Sequence, residues 1–222
     1  IIIDDEFSRV GRVLEFLRKL LAHDGAVVVR FGRPLDTVGN RVDDELRSVD
    51  RCGRVVDLPS FFKDANGELQ PDRQRDSEYT RHLGREVAAA FRRETVFQST
   101  SLLARAALDV LEDRSGTADI YRLLRLPSSA VHAPVQQVAE RLRILIDTIC
   151  SNPDLGCITD ADRSKSADEL MEEATRWLRT YHTRPVIERL GDRLHVADMK
   201  LLYYYANRTS HIEIPEGEDD AL

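Results

Sequence analysis

Hydrophobic residues recur at intervals of three and four over most of the chain, and this spacing predicts a mostly α-helical protein. The first helix is expected over residues 7–21, where Phe7, Leu14 and Leu21 recur at helical spacing. The same periodicity predicts five further helices, over residues 76–91, 102–111, 117–124, 135–149 and 167–181, and the tyrosine-rich segment 201–207 predicts a sixth. Ser166 and Glu169 have the spacing of a capping box, and Asp198 is placed to cap the last helix.

Two segments predict β-strands instead. The first is Ala26–Phe31, a β-branched stretch between Gly25 and Gly32-Arg33-Pro34, and its nearly continuous apolar character is typical of a parallel strand covered on both faces. Because one strand cannot form a sheet, we expect its partners to precede Ile1, and the start at Ile rather than Met favours a piece of a longer protein. The second segment, Val186–Val196, alternates around Gly191-Asp192 and predicts a hairpin.

The remaining stretches are polar. Asp43-Asp44-Glu45 with Arg47 suggests a polar helix, and Asp64-Ala65-Asn66-Gly67 suggests a turn. The chain is therefore divided into four segments: residues 1–38, the last helix and strand of an α/β domain; 39–75, a polar linker; 76–212, a helical domain; and 213–222, a disordered acidic tail. No repeat of 20 to 50 residues is found.

Composition limits the possible functions. The 222 residues carry 32 Lys and Arg against 39 Asp and Glu, and the formal charge of −7 argues against broad nucleic-acid binding. The three cysteines fit no zinc pattern, so reduced thiols in the cytoplasm are expected. No apolar run approaches the roughly 20 residues that span a bilayer.

A search for catalytic residues finds none. A His-x-x-x-x-Asp dyad needs Asp five residues after His, and none of the six histidines has one. His195 with Asp198 is the nearest approach, but Asp198 is better explained as a helix cap. We therefore predict no catalytic, substrate-binding, metal-binding or cofactor-binding residue in this chain.

Three surfaces allow a functional interpretation beside a structural one. Tyr203, Tyr204 and Tyr205 could face lipid, although core packing is the simpler interpretation. The Val186–Val196 hairpin resembles the wing of a winged helix-turn-helix domain, with residues 117–126 and 131–149 as the helix pair, so a helical regulatory or DNA-binding protein stays an alternative. Clustered arginines could contact phosphates or anionic lipid headgroups, but interleaved carboxylates favour a salt-bridged solvent face. These arginines are Arg73, Arg75, Arg81, Arg85, Arg92 and Arg93.

Four motifs occur in a characteristic order. They are the strand segment 25–34 ending in Phe31-Gly32-Arg33-Pro34, the helix around Gly84-Arg85-Glu86-Val87, the segment 96–104, and the tyrosine-rich segment 201–208. In this order they resemble the region that follows the catalytic motifs in the large glycerol-3-phosphate acyltransferases, which comprise bacterial membrane-associated enzymes and their mitochondrial and dihydroxyacetone-phosphate relatives. Arg33 stands where that family commonly has an acidic residue, and Gln98 where it commonly has proline.

The resemblance implies that residues 1–38 complete an acyltransferase α/β domain, which the helical domain braces. The parent enzyme would transfer an acyl group from acyl-CoA or acyl carrier protein to glycerol 3-phosphate in phospholipid synthesis. Its His-x-x-x-x-Asp motif would precede Ile1. The implied partners are this upstream catalytic domain and the inner face of the cell membrane, contacted peripherally from the cytoplasm, with no cofactor and no nucleic acid.

Overall fold

The computed structural model describes residues 28–127 and 130–214, together with residues 11, 13, 14, 17 and 18, which are helical. The rest of the predicted first helix, residues 26–27 of the predicted strand and residues 215–222 of the acidic tail lie outside the described residues. Two compact units are present. We call Val29–Thr95 with Asp154–Gly156 the turn unit, and the residues 96–153 and 157–214 the helical unit.

The turn unit contains short strands, a 3-10 helix and one long α-helix. Strand β1 (Arg41–Val42) pairs antiparallel with β2 (Ser48–Val49). A 3-10 helix (Leu58–Phe62) leads to α1 (Arg73–Glu94). Asp72 caps α1 by accepting hydrogen bonds from the backbone N–H groups of residues 74 and 75, so the helix begins three residues before the predicted Asp76.

The turn unit is built on a seven-residue repeat. Aspartates occupy positions 36, 43, 50, 57 and 64, and all except Asp57 open the same turn. In each turn the aspartate Oδ1 accepts hydrogen bonds of 2.8–3.1 Å from the backbone N–H groups two and four residues later. The residue three positions later has a positive φ: Gly39 at 92°, Leu46 at 61°, Gly53 at 77° and Gly67 at 82°.

These turns reverse the chain at regular intervals. Antiparallel pairs join residues 35 and 41, 42 and 48, 49 and 55, and 63 and 69, so the chain turns back every seven residues. Asp57 is followed two residues later by Pro59, which has no N–H to donate to the aspartate. The fourth copy of the repeat is therefore replaced by the 3-10 helix.

The first turn and the 3-10 helix pack on α1. A Cβ built on Gly39 would lie 3.1 Å from Cδ2 of His82 and 3.2 Å from Cα of Leu83, so the first turn approaches the helix through bare backbone. Phe61 and Phe62 contact the ring of Tyr79 edge-on, with centroids 5.7 and 6.0 Å away. These contacts form the small apolar core of the unit.

The helical unit is a helical bundle with two small sheets. Its helices are α2 (Ser99–Ser115), α3 (Ile120–Leu123), α4 (Val135–Ser151), α5 (Asp160–Arg163), α6 (Ala167–Tyr181) and α7 (Met199–Ala206), and a 3-10 helix (Asn207–Thr209) follows. Its strands are β3 (Val96–Phe97), β4 (His132–Pro134), β5 (Cys157–Ile158), β6 (Ile187–Leu190) and β7 (Arg193–Val196). β3 and β5 pair in parallel, and the second sheet is antiparallel in the order β4-β7-β6.

Helix α2 forms the centre of this unit. Twelve of its 17 residues are buried, and α4, α6 and α7 all pack against it. Arg105 interrupts the apolar surface: its Nε lies 2.7 Å from Oδ1 of Asp109, and its guanidinium donates long hydrogen bonds to the carbonyls of Thr209 and Ile212. The C-terminal segment is thereby attached to the central helix.

The mostly helical fold, the short strands and the hairpin near the C-terminus are confirmed. The capping box at Ser166 is present, with both of its hydrogen bonds. Gly116, at φ 65°, ends α2 in a left-handed conformation. Among the described residues, no helix is long and apolar enough to cross a membrane.

Three local predictions were wrong. Residues 28–31 of the predicted strand have no regular secondary structure, because a strand needs a hydrogen-bonded neighbour and no described residue pairs with them. The polar helix predicted around Asp43 is one of the repeated turns, since the carboxylate binds the N–H groups that a helix would direct to carbonyls. The helix predicted over residues 117–124 is only the single turn α3, which begins after its cap Asp119.

Exchange of glycine and leucine between two repeats tests the shared turn geometry. Leu46 is 82% exposed and adopts a left-handed φ of 61°, which costs an L-residue about 1–2 kcal/mol. Leu46→Gly should therefore raise the free energy of unfolding. The gain should be no more than about 1 kcal/mol, because glycine also loses more conformational entropy on folding. Gly53→Leu, where a Cβ meets nothing within 4 Å, should lower it by about 1–2 kcal/mol. Urea unfolding measures both, and a loss of stability in Leu46→Gly would contradict the equivalence of the turns.

Candidate functional site

The histidine singled out by sequence lies beside a second histidine. His132 on β4 and His195 on β7 are direct neighbours in the sheet, with ring centroids 4.6 Å apart. The Nδ1 atoms of both are buried and have no hydrogen-bond partner. Asp198 instead accepts hydrogen bonds from the backbone N–H groups of Lys200 and Leu201, which confirms it as the cap of α7. Among the described residues, no carboxylate therefore bonds Nδ1 of His195 in the way that orients a general base.

Metal ligands are not grouped in the part of the chain that the structure describes. No set of three or more His, Cys, Asp or Glu side chains there could hold a metal ion. The three cysteines are free thiols, with Cys52 and Cys150 exposed and Cys157 partly buried.

The arginines of α1 are partly neutralised, as the interleaved acidic residues predicted. Ion pairs join Arg75 to Asp76 at 3.0 Å, Arg81 to Glu78 at 2.6 Å, and Arg93 to Glu94 at 3.1 Å. Surface pairs of this kind contribute little stability, and they reduce the positive charge that a phosphate would meet. Three of the six arginines of α1 are thus paired with carboxylates.

The tyrosines of α7 divide between surface and interior. Tyr203 is 41% and Tyr204 70% exposed, whereas the half-buried Tyr205 hydroxyl lies 2.9 Å from Nε2 of His182. Burial raises the pKa of Tyr205, and the nearby Tyr204 and Tyr181 raise it further. The packing interpretation therefore holds for Tyr205, while Tyr204 remains on the surface.

One buried carboxylate has a raised pKa. Asp109 on α2 is 8% exposed, and its Oδ2 has no hydrogen-bond partner. Burial raises the pKa of Asp109, and the attraction of Arg105 and Arg141 offsets only part of the effect. Perturbed carboxylates often mark active sites, but Asp109 lines none of the cavities described below. We assign it a structural role beside Arg105.

Two cavities have arginine-rich walls. In the turn unit, a cavity of about 330 Å³ is lined by Arg30, Arg33, Leu35, Arg41, Glu86, Arg93, Glu94 and Asp154. Glu94 accepts ion pairs from Arg30 at 2.9 Å and from Arg93 at 3.1 Å. Gly32 allows this approach, since a Cβ there would lie 2.8 Å from Cγ of Glu94. Much of the positive charge of this cavity is thus already paired.

The second cavity, which we call the α6 cavity, lies in the helical unit between α6 and the β6–β7 hairpin. It measures about 260 Å³ and is lined by Met171, Glu172, Thr175, Arg176, Arg179, Arg189 and Leu194. Met171 and Leu194 are 2% and 1% exposed, and they form an apolar floor. The sequence analysis missed these arginines, although Arg176 and Arg179 have the i, i+3 spacing that places two side chains on one helix face.

Comparisons with protein-family models, with curated proteins and with solved structures find no match to this chain.

Truncation of Tyr205 tests its packing. Tyr205→Ala should lower the free energy of unfolding by about 2 kcal/mol, because a half-buried ring and its hydrogen bond to His182 are both lost. Tyr121→Ala removes a 72% exposed ring elsewhere in the helical unit and should change stability by no more than about 0.5 kcal/mol. Thermal and urea unfolding of the two variants measure the difference. Equal effects would show that Tyr205 does not anchor α7.

The raised pKa of Asp109 predicts a specific pH dependence. A folded-state pKa above the unfolded value means that the stabilising contribution is fully present below about pH 4 and is lost as pH rises through the folded pKa. Asp109→Asn should therefore gain stability relative to the wild type between pH 4 and pH 7. Urea unfolding across this range provides the measurement, with the exposed Asp147→Asn as the matched control. A difference that stays constant with pH would contradict the raised pKa.

Proposed function

We propose that this chain is the non-catalytic C-terminal portion of a glycerol-3-phosphate O-acyltransferase. The parent enzyme would transfer an acyl group from acyl-CoA or acyl carrier protein to glycerol 3-phosphate in phospholipid synthesis. The order of the four sequence motifs supports this assignment. The observation that carries it is the exposure of the apolar run at the first motif: Val28 is 45%, Val29 68% and Phe31 90% exposed.

An exposed run of this kind needs a covering partner. Val and Phe side chains gain about 25 cal/mol for each Å² of apolar surface removed from water, and the described part of the chain leaves this run without a strand neighbour. Its β-branched sequence is suited to the edge of a sheet. We propose that the sheet of an upstream catalytic domain covers this run, so that residues 28–31 form a strand only when that partner is present.

The catalytic step would then take place outside this chain. In the proposed reaction, the upstream dyad histidine accepts the proton of a glycerol 3-phosphate hydroxyl, whose oxygen attacks the thioester carbonyl. Collapse of the tetrahedral intermediate breaks the carbon–sulfur bond and forms the ester, and the leaving thiolate takes the proton back from the histidine. The helical unit supports the catalytic domain and contributes no reacting group. We place the parent enzyme in the cytoplasm, peripherally at the inner face of the cell membrane.

A charge introduced at Phe31 tests the proposed strand. In the full-length protein, Phe31→Asp should reduce acyltransfer from palmitoyl-CoA to glycerol 3-phosphate at least tenfold, because a carboxylate cannot be buried in a sheet without a partner. Phe91→Asp is the matched control, since Phe91 is also exposed, at 72%, but lies on α1. Activity is measured as thiol release, and the amount of soluble enzyme is quantified in parallel.

The two outcomes separate the proposal from its alternatives. Loss of activity in Phe31→Asp with retention in Phe91→Asp supports the strand assignment. Equal activity of both variants, or a full-length protein without acyltransfer activity, contradicts it. The 222-residue chain alone should release no thiol, and His-dependent transfer by it would also overturn the proposal.

One observation favours a second candidate function. The sequence α2, β4, α4, α6, β6 and β7, with the sheet order β4-β7-β6, resembles the winged helix-turn-helix topology, although its helix pair differs from the one predicted by sequence. The β6–β7 hairpin carries Glu188 and Asp192 beside Arg189 and Arg193. Opposite charges therefore alternate where a DNA-binding wing needs a basic face. The duplex-DNA measurement described below tests this candidate.

A further inference from the structure

We propose that the α6 cavity binds an anionic amphiphile, a molecule with a phosphate headgroup and an alkyl or acyl chain. The proposal does not rest on the acyltransferase assignment, since the cavity shares no residue with the apolar run at Val28–Phe31. It rests on three features of the cavity: positively charged walls, unpaired guanidinium groups and a buried apolar floor.

The walls carry more positive than negative charge. Arg176 and Arg179 project from α6, Arg189 projects from β6, and Glu172 is the one acidic residue among the lining residues. This local excess contrasts with the chain as a whole, whose formal charge is −7. Three guanidinium groups around one cavity suit a phosphate, because each presents several N–H donors in a planar fork.

Two of the arginines are available for a ligand. Within the described ranges, Arg176 and Arg179 form no ion pair, whereas Arg189 contacts Asp168 at 3.3 Å. Both members of that contact are exposed, so the pair contributes little in water and a phosphate can compete for Arg189. Exposed arginines on one helix face also repel each other, and a bound anion would relieve this repulsion.

The floor favours an amphiphile over a free phosphate. Met171 and Leu194 are nearly fully buried beneath the arginines, and a methionine adapts its flexible side chain to irregular ligands. A free phosphate would contact the charged walls alone, whereas an alkyl chain would also fill the part of the cavity next to Met171 and Leu194. The volume of about 260 Å³ is just below the usual range of ligand pockets, about 300–1,000 Å³, and accommodates a headgroup with the first carbons of its chain.

The charges around the α6 cavity suit nucleic acid less well than they suit a single phosphate headgroup. The first half of α6 carries Asp168, Glu169 and Glu172, so a DNA backbone that followed the helix would meet carboxylates next to the arginines. A single headgroup bound in the cavity avoids most of this repulsion. The phosphate of a lipid-like molecule is therefore the favoured ligand, and DNA is tested as the competing outcome.

Dodecyl phosphate, below its critical micelle concentration, is the probe. Isothermal titration calorimetry compares it with dodecyl maltoside, which has the same alkyl chain without charge, and with inorganic phosphate, which has the charge without the chain. Dodecyl phosphate should bind at least tenfold more tightly than either. The double variant Arg176→Gln/Arg179→Gln should weaken its binding about tenfold or more. Arg125→Gln/Arg143→Gln, at two exposed positions elsewhere in the helical unit, is the matched control and should bind like the wild type.

Each other outcome overturns the proposal. Equal binding of dodecyl maltoside would indicate an apolar site without charge recognition, and equal binding of inorganic phosphate would indicate a simple anion site. Binding unaffected by the arginine substitutions would place the ligand elsewhere. Tighter binding of a 20-base-pair duplex, with the steep salt dependence of phosphate contacts, would assign the surface to DNA. Thermal unfolding of both double variants confirms that they are folded.

Discussion

The burial of α2 is the constraint on which the helical unit depends. An α-helix in a small domain usually buries one stripe and exposes the other, but α2 buries residues on nearly all sides. Three helices, α4, α6 and α7, must therefore surround it, because any missing neighbour would expose apolar surface. Strand β6 of the hairpin packs against α6. Arg105 holds the C-terminal segment on α2, because its guanidinium donates hydrogen bonds to the carbonyls of Thr209 and Ile212. The α6 cavity therefore lies between a helix of this bundle and the hairpin that packs on it.

The helices were predictable because their signals are local. The capping box at Ser166 and the left-handed Gly116 specify helix ends through contacts within a few residues. The predicted strand is absent at residues 28–31, the part of it that the structure describes, for the opposite reason. A strand depends on a partner, and the sequence of the run contains no information about whether one is present. The polar helix expected at Asp43 failed because acidic residues suit both a first helical turn and a turn closed by its own carboxylate.

The α6 cavity could not be predicted from the sequence, because its arginines come from two separate elements. Arg176 and Arg179 are visible as a pair on one helix face, but Arg189 is 10 residues further along the chain than Arg179. Only the packing of β6 against α6 brings the third guanidinium to the same cavity. The arginine cluster of α1 is denser in the sequence, but neighbouring carboxylates form ion pairs with three of its six arginines. The number of arginines in a segment was therefore a poor guide to how many guanidinium groups are free to bind an anion.

The seven-residue repeat of the turn unit has a consequence for how this region can change length. Each turn closes its hydrogen bonds within its own residues, so the loss or gain of one copy leaves the remaining turns intact. Each copy also reverses the direction of the chain. If an odd number of copies were added or lost, the following helix α1 would therefore run in the opposite direction. Insertions and deletions compatible with the rest of the protein should consequently occur in pairs of repeats, in steps of about 14 residues. Related chains would differ here by discrete lengths rather than by the gradual variation usual for surface loops.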